Sequence, residues 1–212
     1  MDRYGSLTAR TYDVLSGEPV YGVGRRLALA ALDLRPGERV LDVGCGTGLN
    51  LPWLLRGVGP DGLVVGLDRS PAMLDRVRAK AAPHRLPQLR LVQGDACAPD
   101  VLATGAAGGE FVSGGVGFDV VLATYSLSLL ADVESAWATI LRVLAPGGRV
   151  AVVDMARPTG RWGWTWPLAR LACGLGGADI EAHPWRLLER DLRVTGSWSR
   201  WGGHVQVRVG TR

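Results

Sequence analysis

The segment at residues 40–51, VLDVGCGTGLNL, joins a short apolar run to a helix-compatible one through glycines at 44, 46 and 48. Read locally, it is a strand, a tight turn and the start of a helix. Glycine admits the positive-φ backbone of such a turn and lets backbone N–H groups approach a ligand at the helix N-terminus. The spacing is GxGxG, whereas a dinucleotide fingerprint needs GxGxxG and would place its third glycine where Leu49 stands. A nicotinamide-dependent dehydrogenase is therefore disfavoured. Alone, the turn is equally compatible with a purely packing role.

Outward from this turn, strand-like and helix-like runs alternate. RRLALAALDL (25–34) has helical spacing and stops before Pro36 and Gly37, and RVLDVG (39–44) reads as a buried strand. TGLNLPWLLRG (47–57) reads as a helix, GLVVGLD (62–68) as a strand closed by an acid, and SPAMLDRVRAKAA (70–82) as a helix with Ser70 at the N-cap and Pro71 at the first helical position. LRLVQGD (89–95) and FDVVLATYS (118–126) are the third and fourth strands, 132–148 a helix with a glycine stop, and RVAVVDM (149–155) a fifth strand. Alternation of this kind implies a parallel sheet covered by helices on both faces. The tail adds expected helices over 162–177 and 181–191 and a closing pair of strands at 192–199 and 204–211. The Gly/Ala-rich stretch 103–117 reads as a surface loop. No repeat or linker divides the 212 residues, a length suited to one domain with a full core.

Composition narrows the function class. Hydrophobic residues make up 47% and charged residues 21%, the balance of an ordinary globular chain. No apolar run approaches the ~18 residues of a membrane span, and the polar start MDRYGSLTAR carries no leader pattern, so a cytoplasmic protein is expected. Cysteines at 45, 97 and 173 lack CxxC or Cys/His spacing, which argues against a disulfide frame and a zinc site. The net charge of +4 lies wholly in the last third, where nine arginines face five acids over 151–212. No Lys/Arg run accompanies it, so nucleic acid is not an expected partner.

Taken as an ordered set, VLDVGCGTG, the acid ending the second strand (Asp68), GDA at 94–96, FDVV at 118–121 and LAPGGRVAVVD at 144–154 resemble the successive motifs of class I S-adenosylmethionine-dependent methyltransferases. The N-terminal YDVLSG…GVGRRLALAAL and the later LGGADI…PW are similar to bacterial small-molecule members, the branch holding quinone-biosynthesis and phospholipid N-methyltransferases. The resemblance implies a Rossmann-like three-layer α/β/α domain with a mostly parallel seven-stranded sheet and an antiparallel edge strand. Residues 1–35 would supply cofactor-covering helices, 36–155 the cofactor-binding core, and 156–212 acceptor-side lid helices and a terminal β-hairpin.

The same resemblance implies roles for single residues. Gly44, Gly46 and Gly48, with Cys45 and Thr47 between them, would let the backbone approach the methionine part of the cofactor. Asp42 would sit beneath them near its amino group, or cap the turn N–H groups instead. Asp68 would accept both ribose hydroxyls, its alternative being an N-cap at Ser70. Arg69 and Met73 would flank the adenine, although Met73 suits a helix core equally well. Gly94, Asp95 and Ala96 would meet the adenine edge, with a plain turn aspartate as the other reading of Asp95. Thr124, Tyr125 and Ser126 would face the methyl end and the acceptor at the carboxyl edge of the sheet. Among Tyr4, Tyr12 and Tyr21 of the covering segment, Tyr12 is favoured for a cofactor contact.

A base is needed only where the acceptor must lose a proton. His183 and His204 are the candidates, with Tyr125 beside the methyl end, while His84 reads as exposed. No Asp/His cluster points to a metal. The expected reaction is methyl transfer from S-adenosylmethionine, leaving S-adenosylhomocysteine, to a small apolar or aromatic acceptor such as a secondary metabolite or quinone. A phospholipid (phosphatidylethanolamine) N-methyltransferase at the membrane surface is the alternative, and a cofactor-binding protein without methyl transfer the third reading. The alternating tryptophans of WGWTW (162–166) fit either a lid packed on the sheet or an aromatic wall for the acceptor, and the arginines at 157, 161 and 170 make an anionic lipid surface conceivable.

Overall fold

A computed structural model describes residues 18–98, 100–102 and 117–212. The readings of Tyr4 and Tyr12, and of the loop 103–117 except its last residue, lie outside the described residues. Seven strands form one sheet: β1 Arg39–Val43, β2 Leu63–Asp68, β3 Leu89–Gln93, β4 Phe118–Thr124, β5 Leu144–Met155, β6 Arg193–Arg200 and β7 Val205–Thr211. Their order is β3-β2-β1-β4-β5-β7-β6. The first five run parallel, and the terminal hairpin adds β7 antiparallel to β5 and β6 antiparallel to β7. The helices are α1 Glu18–Leu32, α2 Leu51–Val58, α3 Pro71–Ala81, α4 Val133–Val143, α5 Trp166–Gly176 and α6 Trp185–Asp191.

Strand alternation sorts the core into the two faces of a three-layer domain. Val40, Val64, Val120, Leu122, Ala151 and Val153 pack under α1, α2 and α3 with Ala28, Leu32, Leu54 and Val77. Leu41, Val43, Val65, Leu67, Val121 and Val152 face the other way, onto Trp137, Ile140, Trp185 and Leu188 of α4 and α6. Each such Val, Leu or Ile, fully buried, is worth about 1.5–3 kcal/mol of apolar transfer, so both faces must be covered. Sheet order then fixes the site. The chain leaves β1 toward β2 on one side and crosses back to β4 on the other, and the crevice above the carboxyl ends at this reversal is where open α/β sheets bind ligands.

Several boundaries differ from the pattern-based expectation. The helix expected from 47 starts at Leu51, because Gly46 and Gly48 hold φ of +53° and +83° and keep 44–50 in a turn. The helix expected to 148 ends at Val143, and β5 begins at Leu144. Pro146 disfavours helical geometry at the residue before it, and Gly147 takes φ +74°. Within 162–177, a 3-10 helix over Gly160–Thr165 precedes α5, with Pro167 in the first turn of the α-helix. The helix expected from 181 begins at Trp185, after His183 at φ +45° and Pro184.

Candidate functional site

The turn after β1 is built by backbone and braced by one acid. Gly44 and Cys45 both donate their N–H to the Leu67 carbonyl, at 2.8 and 3.0 Å, tying the turn to β2. One residue on, Asp68 ends β2 and accepts the Gly46 N–H on Oδ2 at 2.8 Å and the Ser70 N–H on Oδ1 at 2.9 Å. Burial pushes its carboxyl above the usual range, against the pull of these two amides. A carboxylate offers about four lone-pair sites, so beyond these amides and that of Arg69 it keeps acceptor capacity for a ligand. The Ser70 hydroxyl, although buried, has no partner among the described residues. A Cβ built on Gly46 meets nothing within 4 Å, whereas at Gly44 it collides with Ser126, whose hydroxyl donates to the Val43 carbonyl at 2.7 Å.

Beneath the turn Asp42 and Thr124 belong to a polar hub whose centre, Asn50, the sequence does not single out. Asn50, buried just before α2, donates from Nδ2 to Asp42 Oδ1 at 2.8 Å and to Thr124 Oγ1 at 3.0 Å. Its Oδ1 accepts from Arg25 of α1 at 3.3 Å. Asp42 is fully buried and its Oδ2 has no partner among the described residues. Loss of solvation pushes its carboxyl up to about 7, opposed by the Asn50 bond and the Arg25 charge. A second buried acid, Asp154 near the end of β5, accepts from both the N–H and the hydroxyl of Ser128 and is raised by burial to about 6. It fixes the loop after β4 that carries Leu129 and Leu130.

These elements enclose a cavity of about 420 Å³, within the range of small-molecule sites, about 300–1,000 Å³. Its walls include Gly44, Cys45, Gly46, Thr47, Asp68, Arg69, Met73, Gly94, Asp95, Ala96, Thr124, Tyr125 and Ser126 from the sequence-derived set. Two members of that set lie off it. Asp42 is screened by Asn50, and Gly48 turns inward, where a Cβ would meet Leu51 at 2.8 Å and Val77 at 3.1 Å. Asp95 also forms a local turn, its Oδ1 accepting the Cys97 N–H at 2.9 Å. Neither candidate histidine lines the cavity. His183 packs tilted against Trp185 with ring centroids 5.0 Å apart, its Nε2 4.0 Å from Glu181. His204 donates from Nδ1 to the Ala156 carbonyl at 2.8 Å, which leaves Nε2 to accept the Tyr21 hydroxyl at 3.2 Å; burial lowers its pKa and favours the neutral ring. Tyr21 itself lines the cavity, as does Tyr125, held at φ +55° with its hydroxyl donating to the Tyr21 carbonyl at 2.6 Å.

Sequence reasoning read Ser70 only as an N-cap, whose side chain makes no capping bond, and it missed Arg25, Asn50 and the apolar end made by Leu129, Leu130, Met155, Cys173 and Ala178. The last two come from α5 and the turn after it, a region in which nothing but tertiary packing separates inward from outward residues. Among the described residues no group of His, Cys, Asp and Glu could hold a metal ion, and no helix is long and apolar enough to cross a membrane.

Comparison with known proteins agrees with this architecture. The family model described as a methyltransferase domain matches residues 40–148. The chain is 35% identical over 180 residues to nocamycin O-methyltransferase of Saccharothrix syringae, covering 83% of this chain and 60% of that protein. It is also 35% identical over 154 residues to 2-phytyl-1,4-naphtoquinone methyltransferase of Thermosynechococcus vestitus, covering 71% and 62%. The chain thus spans about three-fifths of the length of these curated relatives. Among solved structures, an S-adenosylmethionine-dependent methyltransferase from Aquifex aeolicus superposes with a TM-score of 0.68 at 18% identity over 99% of both chains. The sheet, with its glycine turn after β1 and its acid ending β2, defines the class I S-adenosylmethionine-dependent methyltransferase fold. This chain belongs to the methyltransferase-domain family.

Proposed function

We propose that the cavity binds S-adenosylmethionine and that the chain transfers its methyl group to a small apolar or aromatic acceptor of the quinone or polyketide kind. The observation that carries this reading is the division of one cavity by sheet order. The ends of β1, β2 and β3 supply Gly46, Asp68, Ser70 and Asp95, whereas β5, α5 and the loop after β4 supply Leu129, Leu130, Met155 and Cys173. The polar half suits the cofactor: Asp68 keeps acceptor capacity for ribose hydroxyls, the Ser70 hydroxyl lacks a partner, Gly46 leaves open space, and Met73, Leu67 and Ala96 offer an apolar slot for a flat base. When bound, the cofactor supplies an activated methyl group, so the protein's task is mainly to hold the acceptor in line. The apolar half does this by excluding water and packing a hydrophobic acceptor. Where that acceptor must shed a proton, the Tyr21 oxygen is the group placed to take it while its own hydroxyl proton passes to His204 Nε2. The nocamycin and naphtoquinone enzymes, by name, act on acceptors of this chemistry.

Calorimetric titration with S-adenosylhomocysteine, on wild type and Asp68→Ala, tests the cofactor half. Binding that falls about 100-fold or more in the variant, the loss of about two charge-assisted hydrogen bonds, supports the assignment. Equal binding in both removes Asp68 from the ribose site, and binding in neither overturns the reading.

A further inference from the structure

We propose that the chain docks on an anionic lipid surface through the outer face of α5 and the 3-10 helix before it. α5 has two apolar faces. Its inner one, Ala169 and Cys173, is buried, and Cys173 reaches the cavity wall. On the outer one, Leu168 and Leu171 are 69% and 59% exposed, and Trp164 at the preceding position of the same i, i+4, i+7 series is 79% exposed. Three large apolar side chains kept in water along one short stretch mark an interaction surface, because scattered single exposures are the norm on a monomer.

Charge selects the occupant. From residue 155 to residue 178 the sequence holds three arginines and no acid. They flank this face rather than share it: Arg157 lies over the Trp166 ring at 4.8 Å and Arg170 over the same ring at 5.9 Å, Trp166 itself packing inward against Ala169 and Cys173, while Arg161 lies over Trp162 of the 3-10 helix at 5.7 Å. Trp162 packs edge-on against Trp201 of the β6–β7 turn at 5.3 Å, so the arginine-bearing indoles are fixed to the sheet. Exposed Trp and Leu flanked by arginine and free of acids suit a helix lying in a lipid headgroup layer, with indoles at the interface and guanidinium groups on anionic headgroups. With α5 so placed, the apolar end of the cavity lies one helix diameter, about 10 Å, from the lipid. An acceptor dissolved in the bilayer would then reach the site along α5. Lipid docking stands independently of the cofactor assignment; only the delivery of an acceptor rests on it.

Co-sedimentation of the full chain with vesicles of phosphatidylcholine alone, or of phosphatidylcholine containing phosphatidylglycerol, tests this. Wild type should pellet with the anionic vesicles, and binding should fall at about 1 M salt, where the screening length is ~3 Å. The double variant Leu168→Glu, Leu171→Glu should lose about tenfold or more of that binding, as should Trp164→Ala in part. Retention of the wild-type thermal midpoint and S-adenosylhomocysteine affinity in these surface variants would show that fold and pocket persist. Absence of wild-type binding to anionic vesicles, or binding undiminished in the double variant, would overturn the proposal. So would a wild-type dimer in sedimentation velocity that the double variant abolishes, since a second copy would then cover the face.

Discussion

Asp42 makes a quantitative demand on stability. Its carboxyl is fully buried and held at about 7, against 3.8 for the ordinary group, chiefly because burial strips its solvent. The folded-state value is the raised one, so its contribution is fully present below the unfolded value and is lost as pH climbs to the folded one. Between about pH 4 and pH 7 the unfolded chain has released a proton that the folded chain keeps. The unfolding free energy therefore falls by ~1.4 kcal/mol per pH unit, about 4 kcal/mol over the window. Asp42→Asn has no such proton. Its Oδ1 can still accept from Asn50, while its amide N–H groups fall where Asp42 Oδ2 lacks a partner, which costs about 1 kcal/mol at every pH. The variant should thus be about 1 kcal/mol less stable than wild type at pH 4 and about 3 kcal/mol more stable at pH 8. For a chain of this size that crossing spans roughly −3 °C to roughly +9 °C in thermal midpoint. Urea unfolding across this pH range, followed by far-UV circular dichroism, measures it directly. A stability difference flat with pH would refute the burial argument, and a difference favouring wild type at high pH would reverse its sign.

Two glycines give further tests. Gly24 lies on α1 where a Cβ would collide with the Tyr125 hydroxyl and come within 2.7 Å of Val205 and 2.8 Å of Val153. Gly24→Ala gains about 1 kcal/mol of helix propensity but overpacks by about 1–3 kcal/mol, so its thermal midpoint should fall by a few degrees, about 2–4 °C per kcal/mol. Gly46→Ala meets no neighbour within 4 Å but forces alanine to φ +53°. It should cost only about 1–2 kcal/mol of stability while weakening S-adenosylhomocysteine binding about tenfold or more, read by calorimetry; unchanged affinity would mean that this peptide does not face the cofactor.

What could be read from sequence was whatever local chemistry enforces. The buried strand 39–43, the glycines at 44 and 46, and an acid on the last residue of β2 are each written within a few residues of where they act. Asn50 is not, because one asparagine beside a helix looks unremarkable until β4 brings Thr124 to it across 74 positions. Tyr21 was the less favoured of three tyrosines, and its partner His204 lies 183 positions away. The two faces of α5 were equally hidden, since Leu168, Ala169, Leu171 and Cys173 have the same apolar character and only the sheet decides which of them is covered. The start of β5 reads as helix in the sequence because Pro146 and Gly147 stop one element and bulge the next, and the stop alone leaves a local mark.

α1 connects these separate features. Tyr21 and Arg25, one helical turn apart, both line the cavity, and Gly24 between them allows the close approach to β5 and β7. From that helix one arm reaches His204 and Tyr125, and the other reaches Asn50, which in turn holds Asp42 and Thr124. The two halves of the cavity are thus braced by one element. A perturbation that lifts α1 would loosen the acceptor-side tyrosines and the hub beneath the glycine turn together, although neither is its neighbour in sequence. Ligand affinity in Gly24→Ala should accordingly fall only as far as α1 is lifted, whereas in Gly46→Ala it should fall about tenfold or more with α1 and the hub still in place. That contrast separates a residue that positions the site from one that meets the ligand.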